Sequence, residues 1–356
     1  MYLARGAPAA FCLAVLVSFG ELSAQNGSYV GAETCGRCHA TRLVGQSGSA
    51  HAHALYPAPR HPLAASFAPE NELLRPPRYH FQFRRDGDQL RVKVSDGTET
   101  SDLPIEWAFG AGAQAVTFVS RLDSDWYLEH YFTYYSAIHT LGPTPGHEGF
   151  RSNTLPLARG VSYQSVDPVA GIVKCFECHS TGALRIGPDQ EIQPAELGVR
   201  CEACHGAGSL HVEAVSAGQL EQARRLIQNP GRMSASGVND FCGTCHRAPQ
   251  EGPLSNWNKA WNVRHQPIYL AQSACFLKSK AKLSCLTCHD MHRELERDSA
   301  AYDSKCTGCH SSVKHTSAQS NNCAGCHMPR VSPQPHIEFT NHWIGVYRSE
   351  SKLRPN

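Results

Sequence analysis

Gly198-Val199-Arg200-Cys201-Glu202-Ala203-Cys204-His205-Gly206-Ala207-Gly208 contains the pattern around which the whole chain is built, Cys-X-X-Cys-His. The pattern occurs seven times: Cys35 to His39, Cys175 to His179, Cys201 to His205, Cys242 to His246, Cys285 to His289, Cys306 to His310 and Cys323 to His327. Two thiols at this spacing reach the two vinyl groups on one edge of a porphyrin, and the next residue's imidazole swings under the ring to iron. This is the c-type haem attachment signature. With 16 Cys and 20 His in 356 residues, random order gives on the order of 0.04 copies of the pattern. Zinc knuckles and disulfide frameworks also use Cys-X-X-Cys pairs, but neither requires a His after every second Cys. The sequence therefore predicts seven covalent haem c groups. The thioethers fall at Cys35, Cys38, Cys175, Cys178, Cys201, Cys204, Cys242, Cys245, Cys285, Cys288, Cys306, Cys309, Cys323 and Cys326, and the proximal ligands at His39, His179, His205, His246, His289, His310 and His327. Two cysteines remain, Cys12 and Cys275.

The rest of the composition bounds the partners and the fold. A net charge of +2 with 18% charged residues gives no nucleic-acid footprint. Twenty-nine Gly and 22 Pro predict short helices and much loop, with porphyrin faces replacing much of an apolar core. Residues 1–24 carry Arg5, an apolar run from Ala7 to Phe19 and Leu22-Ser23-Ala24, the pattern of a secretory signal peptide. The run is shorter than the roughly 20 residues that span a bilayer. Cys12 follows Phe11 and lacks a lipoprotein context, so it reads as lost on cleavage. The expected location is periplasmic or otherwise exported.

Between His39 and Cys175 there is no motif. Residues 57–78 are Pro-rich and read as an extended linker. Tyr79 to Phe83 and Leu90 to Val94 alternate apolar with polar around Asp86-Gly87-Asp88, which predicts a β-hairpin, and Ala115 to Val119 and Trp126 to Tyr135 extend it into a small sheet. Glu129 and His130 read as strand-surface residues, with acid–base work as the alternative. Val212 to Ile227 reads as an exposed helix. The expected fold is a mainly α and loop cytochrome organised by its haems, with a small β-rich insert. The expected divisions are a first haem segment at 25–78, the insert at 79–150, a six-haem domain at 151–346 and a tail at 347–356.

Several runs outside the motif cores resemble a known family. Ser49-Ala50-His51-Ala52, Thr144-Pro145-Gly146-His147, the 198–208 run with His211 beyond it, Cys288-His289-Asp290-Met291-His292, and Met328-Pro329-Arg330 leading to His336 and Asn341-His342-Trp343-Ile344 are similar to multihaem cytochromes related to the tetrahaem cytochrome of hydroxylamine oxidation. The resemblance covers roughly 29–56 and 126–346. It implies His51 as a distal ligand, with His53 as runner-up. A rigid Pro-Gly turn also suits His147 to approach an iron along the ring normal. Histidines beyond a proximal one, such as His211, His292 and His315, must reach neighbouring haems. The distal set expected is His51, His147, His211, His292, His315, His336 and His342. His53, His61, His80, His130, His139 and His265 are weaker candidates, Met233, Met291 and Met328 could ligate, and Cys275 is either a buried thiol or a thiolate ligand.

Three functions fit. The first is an exported electron carrier working between redox-protein donors and acceptors. The second is an oxidoreductase acting on a small nitrogen or sulfur compound at one open iron. The third is a subunit of a membrane-associated electron-transfer complex. The nitrite reductases of the resembling superfamily use Cys-X-X-Cys-Lys, which does not occur here, and the hydroxylamine-oxidising enzymes carry more haems.

Overall fold

Tyr79, Phe81 and Phe83 are buried while His80 and Gln82 are exposed, so this strand has one face in a core and one in solvent. The computed structural model describes residues 27–67, 72–76, 78–122, 125–147, 149–150, 152–167, 171–247, 257–280, 282–312, 322–348 and 351–355. The segment read as a signal peptide, Cys12 and His315 lie outside these residues.

Ten antiparallel strands occupy 55–164: β1 (Leu55–Pro57), β2 (Glu72–Arg75), β3 (Tyr79–Asp86), β4 (Gln89–Ser95), β5 (Thr100–Ile105), β6 (Trp107–Phe109), β7 (Ala115–Arg121), β8 (Trp126–Tyr135), β9 (Thr140–Pro143) and β10 (Gly160–Gln164). They form a four-stranded sheet, β2-β3-β4-β5, and a six-stranded sheet, β1-β6-β7-β8-β10 with β9 on β8. The hairpin predicted at Asp86-Gly87-Asp88 is β3–β4, with Asp86 opposite Gln89. Phe81, Phe83, Val92 and Ile105 from the smaller sheet share one core with Val116, Phe118, Phe132 and Tyr134 from the larger. Phe67 is wedged edge-on between Phe83 and Phe118. Arg75, itself buried, lies over the Tyr131 ring and donates to the carbonyls of Ala158 and Phe150, which ties the edge strand to the chain beyond β9.

The helices are short: α1 (Ala32–Gly36), α2 (Ala40–Ser47), α3 (Leu155–Arg159), α4 (Val173–His179), α5 (Cys201–His205), α6 (Ser209–Ser216), α7 (Leu220–Arg225), α8 (Ala235–His246), α9 (Gln266–Ala271), α10 (Ala274–Lys278), α11 (Cys285–Cys288), α12 (Asp303–Thr307) and α13 (Cys323–His327). The expected single helix from Val212 to Ile227 is split between α6 and α7 at Gly218, whose φ of 74° a residue with a Cβ rarely adopts. Among the described residues no helix is long and apolar enough to cross a membrane.

The expectation of a mainly α fold with a small β insert is corrected. The described residues are 34% helix and 25% strand, with antiparallel sheets through the N-terminal half. The two large sheets begin at Leu55, inside the stretch read as a Pro-rich linker, and end at Gln164, and three two-stranded ribbons follow between Ser180 and Thr340. Prolines there cap one strand and open short 3-10 turns, so they punctuate the sheets without preventing them. Short strands such as β6 and β9 carry too few residues to show alternation in sequence. The second face of the larger sheet packs Leu55, Phe109, Val119 and Tyr127 against Ile172 and Phe176, so the second motif's helix α4 rests directly on the sheet.

Candidate functional site: one cavity behind seven motifs

Each motif lies on or at the end of a short helix: α5, α11 and α13 begin at the first cysteine, α4 and α8 end on the motif histidine, and α1 and α12 carry the first cysteine in their last turn. These helices surround a single cavity of about 3700 Å³, several times the ~300–1,000 Å³ of an ordinary ligand pocket. All seven motif histidines line it, with every motif cysteine except Cys175 and Cys326. The described cysteines are all free thiols. Among the described residues no three His, Cys, Asp or Glu side chains converge as a metal-ion site of their own. Burial is the largest cause pushing the thiols of Cys35, Cys204 and Cys306 up to about 11.

Five of the cavity histidines have Nδ1 within hydrogen-bond distance of a backbone carbonyl. Nδ1 lies 2.9 Å from Ala54 O in His179, 2.8 Å from Gln228 O in His205 and 2.8 Å from Gly345 O in His327. The non-motif His211 and His342 do the same with Ala223 O and Thr340 O, both at 2.9 Å. A carbonyl can only accept, so Nδ1 carries the proton and Nε2 keeps the lone pair that a metal needs. Burial pushes His51, His179, His246, His289 and His292 down from the usual imidazole range, and His342 down to about 4. The neutral form is the ligating form.

Three pairs of rings stand at a telling separation. The centroids of His51 and His246 are 6.1 Å apart, those of His205 and His292 6.1 Å, and those of His289 and His342 6.4 Å. A five-membered ring with bonds of ~1.33 Å has its centre ~1.1 Å from each atom. Adding a metal–imidazole bond of ~2.0–2.1 Å on each side gives roughly 6.3 Å between ring centres across one metal. The donor set and spacing fit haem iron held by His51 with His246, His292 with His205, and His342 with His289. His51 is held for this by a backbone contact: Val199 N donates to His51 O at 2.8 Å, and a Cβ on Gly198 would stand 2.0 Å from Ala52 O. Thus His51 faces the fourth motif, not the first, which it follows in sequence.

The other predicted ligands are distributed unevenly. His211 and His336 line the cavity, and the His336 ring lies 5.8 Å from Tyr135. His147 does not line it; it is buried against the sheet with Nε2 3.1 Å from Glu129 Oε2, to which Tyr163 OH also donates at 3.2 Å. His53, His61, His80, His130, His139 and His265 do not line it either. His53 is bonded to Tyr56, and His130 to Ser120. Glu129 lies near Cys175 of the second motif. Met291, Met328 and Cys275 line the cavity, and burial pushes the Cys275 thiol up, the opposite of what a thiolate ligand needs.

What sequence reading missed is how the motifs are joined. First cysteines come together in pairs: Cys35 with Cys201, Cys242 with Cys285 and Cys306 with Cys323 stand close enough to shift one another's thiols. The corresponding helices α1 and α5, α8 and α11, and α12 and α13 touch. Each pair is bridged by one acceptor side chain. Glu202 accepts from Val30 N, Gly31 N and Gly208 N at 2.7–3.1 Å. Asn239 Oδ1 accepts from Cys285 N at 3.0 Å. Asp303 accepts from Asn322 N at 2.6 Å and Cys323 N at 2.7 Å. The signal available in sequence was a polar residue inside or just before a motif, too common a feature to single out. Cys178 and Cys245 also meet, which places the second motif beside the fourth.

Residues 158–206, which contain the second and third motifs, match a family model described as cytochrome c554 and c-prime. No curated protein and no solved structure matches the chain. The family match supports a c-type cytochrome, and with it covalent haem c, iron and electron transfer.

Proposed function

We propose that this c-type cytochrome is an exported seven-haem electron carrier, exchanging electrons one at a time with redox-protein donors and acceptors, in the periplasm or at a membrane-associated complex. The observation that carries the reading is the single cavity onto which all seven motif histidines open, with three of them facing a second imidazole at 6.1–6.4 Å. Haem c, when bound, supplies one-electron chemistry. The chain's part is to fix both axial imidazoles, hold them neutral by burial and bring neighbouring sites into contact. The motif adjacencies give an order of neighbours: first with third, third with fourth through Cys204 and Cys242, fourth with fifth, fifth with sixth through Cys288 and Cys306, and sixth with seventh. The second sits beside the fourth as a branch. Pyridine haemochrome analysis with intact mass tests the haem count. Seven haems on a chain cleaved near Ala24 are expected, and four or fewer would refute the reading.

One observation favours a second reading, an oxidoreductase for a small nitrogen or sulfur compound. Seven irons with two histidines each need fourteen histidine ligands. The cavity is lined by seven motif histidines and by His51, His211, His292, His336 and His342. With His315, outside the described residues, the total is thirteen, so one iron takes Met291, Met328 or Cys275, or stays open. Electron paramagnetic resonance separates these outcomes. A high-spin signal that shifts with nitrite, hydroxylamine or sulfite supports the oxidoreductase, and an all-low-spin protein supports the carrier.

A further inference from the structure

The loop from Asn341 to Gly345 serves two of the sites at once. His342 faces His289 of the fifth motif, and Gly345 exchanges two hydrogen bonds with His327 of the seventh: Gly345 N donates to His327 O at 3.1 Å, and His327 Nδ1 donates to Gly345 O at 2.8 Å. One side chain from elsewhere closes this loop. Ser273, between α9 and α10 and fully buried, donates its hydroxyl to His342 O at 3.0 Å and accepts from Ile344 N at 2.8 Å. We propose that Ser273 is a positioning residue for two haems, holding the distal imidazole of the fifth site and the carbonyl that orients the proximal imidazole of the seventh.

The proposal rests on the seven-haem reading and on His342 as a ligand. Its physical basis is that a ligand's outer hydrogen bonds fix ring orientation and basicity, and so tune the metal. Ser273 has no solvent access, so water cannot replace its bonds when the hydroxyl is removed, and His342 O and Ile344 N, 3.0 Å apart, are left with only each other. The rest of the loop is already committed. Asn341, also fully buried, donates to Lys352 O at 2.9 Å and Leu353 O at 3.2 Å and accepts from Trp343 N at 2.9 Å. Asn341 therefore anchors the start of the loop to the C-terminal segment, and Ser273 anchors its middle. A shift of residues 342–344 acts on His342 directly and reaches Gly345 through the adjoining peptide.

The test uses the full holoprotein as Ser273→Ala, Ser273→Cys and His342→Ala. Ser273→Ala is expected to raise a high-spin signal of up to one haem per protein and to shift the reduction potential of a second haem that stays low-spin, with the remaining sites unchanged. Ser273→Cys, a weaker donor, should give smaller changes of the same sign at the same two haems, and the same readouts on it decide the matter if the alanine variant does not accumulate. Unchanged spin states and potentials, even with a lower melting temperature, would overturn the proposal, as would a change at one haem alone. His342→Ala should produce one high-spin haem. If it leaves every haem low-spin, the ligand assignment beneath the proposal is what has failed.

Discussion

Replacing Glu202 by Gln should loosen the first motif from the third by a predictable amount. Glu202 is 2% exposed, and its two oxygens take three backbone N–H groups, with Oε1 facing Val30 and Gly208 and Oε2 facing Val30 and Gly31. Gln keeps one carbonyl oxygen and places an NH2 where the other was. If the oxygen remains toward Gly208, the Gly31 N–H faces a donor and is left unpaired. An unsatisfied buried N–H costs about 1–3 kcal/mol, and hydrogen bonds to a charged acceptor contribute ~1.5–3 kcal/mol against ~1 for a neutral one. The combined loss is about 2–4 kcal/mol of local stability, or a fall of roughly 30- to 1,000-fold in exchange protection at about 1.4 kcal/mol per tenfold. Amide hydrogen exchange of holoprotein, resolved at Val30 and Gly31, measures this opening directly without assuming two-state unfolding. Protection within threefold of wild type would refute the reasoning. It would mean that the segment before Ala32 is held by something other than this carboxylate.

His51→Ala should create one high-spin haem, and the same substitution should add none in a Cys242→Ser/Cys245→Ser background, because His51 faces His246 and not His39; electron paramagnetic resonance of the three proteins decides it. Asn239→Leu keeps the side chain's size but strands Cys285 N–H and Leu283 C=O. It should shift the potentials of the fourth and fifth haems, read by redox titration, and leave the others in place. His130 is wholly buried with Nε2 2.7 Å from Ser120 Oγ, and burial, followed by Arg159 and His147, pushes its pKa down to about 3. Between that value and the unfolded ~6.5 the unfolded chain binds a proton that the folded chain refuses, so stability falls as pH drops through this window, by up to ~1.4 kcal/mol per pH unit. The contribution is fully present above ~6.5 and stops declining below about 3. Melting temperatures from pH 7 to 4 should therefore slope less steeply in His130→Gln than in wild type, and equal slopes would exclude His130 as the source.

The chemistry was legible along the chain, without any tertiary contact. Attachment of a porphyrin is local: two thiols and an imidazole within five residues suffice, and no distant part of the chain can change what Cys201 to His205 is built to hold. The β3–β4 hairpin was legible in the same way, because alternation and a turn residue act over a few positions. The extent of the sheets was not. β1, β6 and β9 are only three or four residues each; β6 and β9 form on the edges of the longer β7 and β8, β1 forms on β6, and the prolines around β1 read as linker. Which imidazoles come together was decided only in three dimensions, since packing brings side chains together regardless of their separation in the chain. His51 meets His246, 195 residues away, while His147, on the rigid turn that suited a ligand, is instead bonded to Glu129 against the sheet. The pairing of first cysteines and the acceptors that bridge them at Glu202, Asn239 and Asp303 likewise depend on which helices touch. That choice is made by packing over the whole molecule, and no spacing along the chain encodes it.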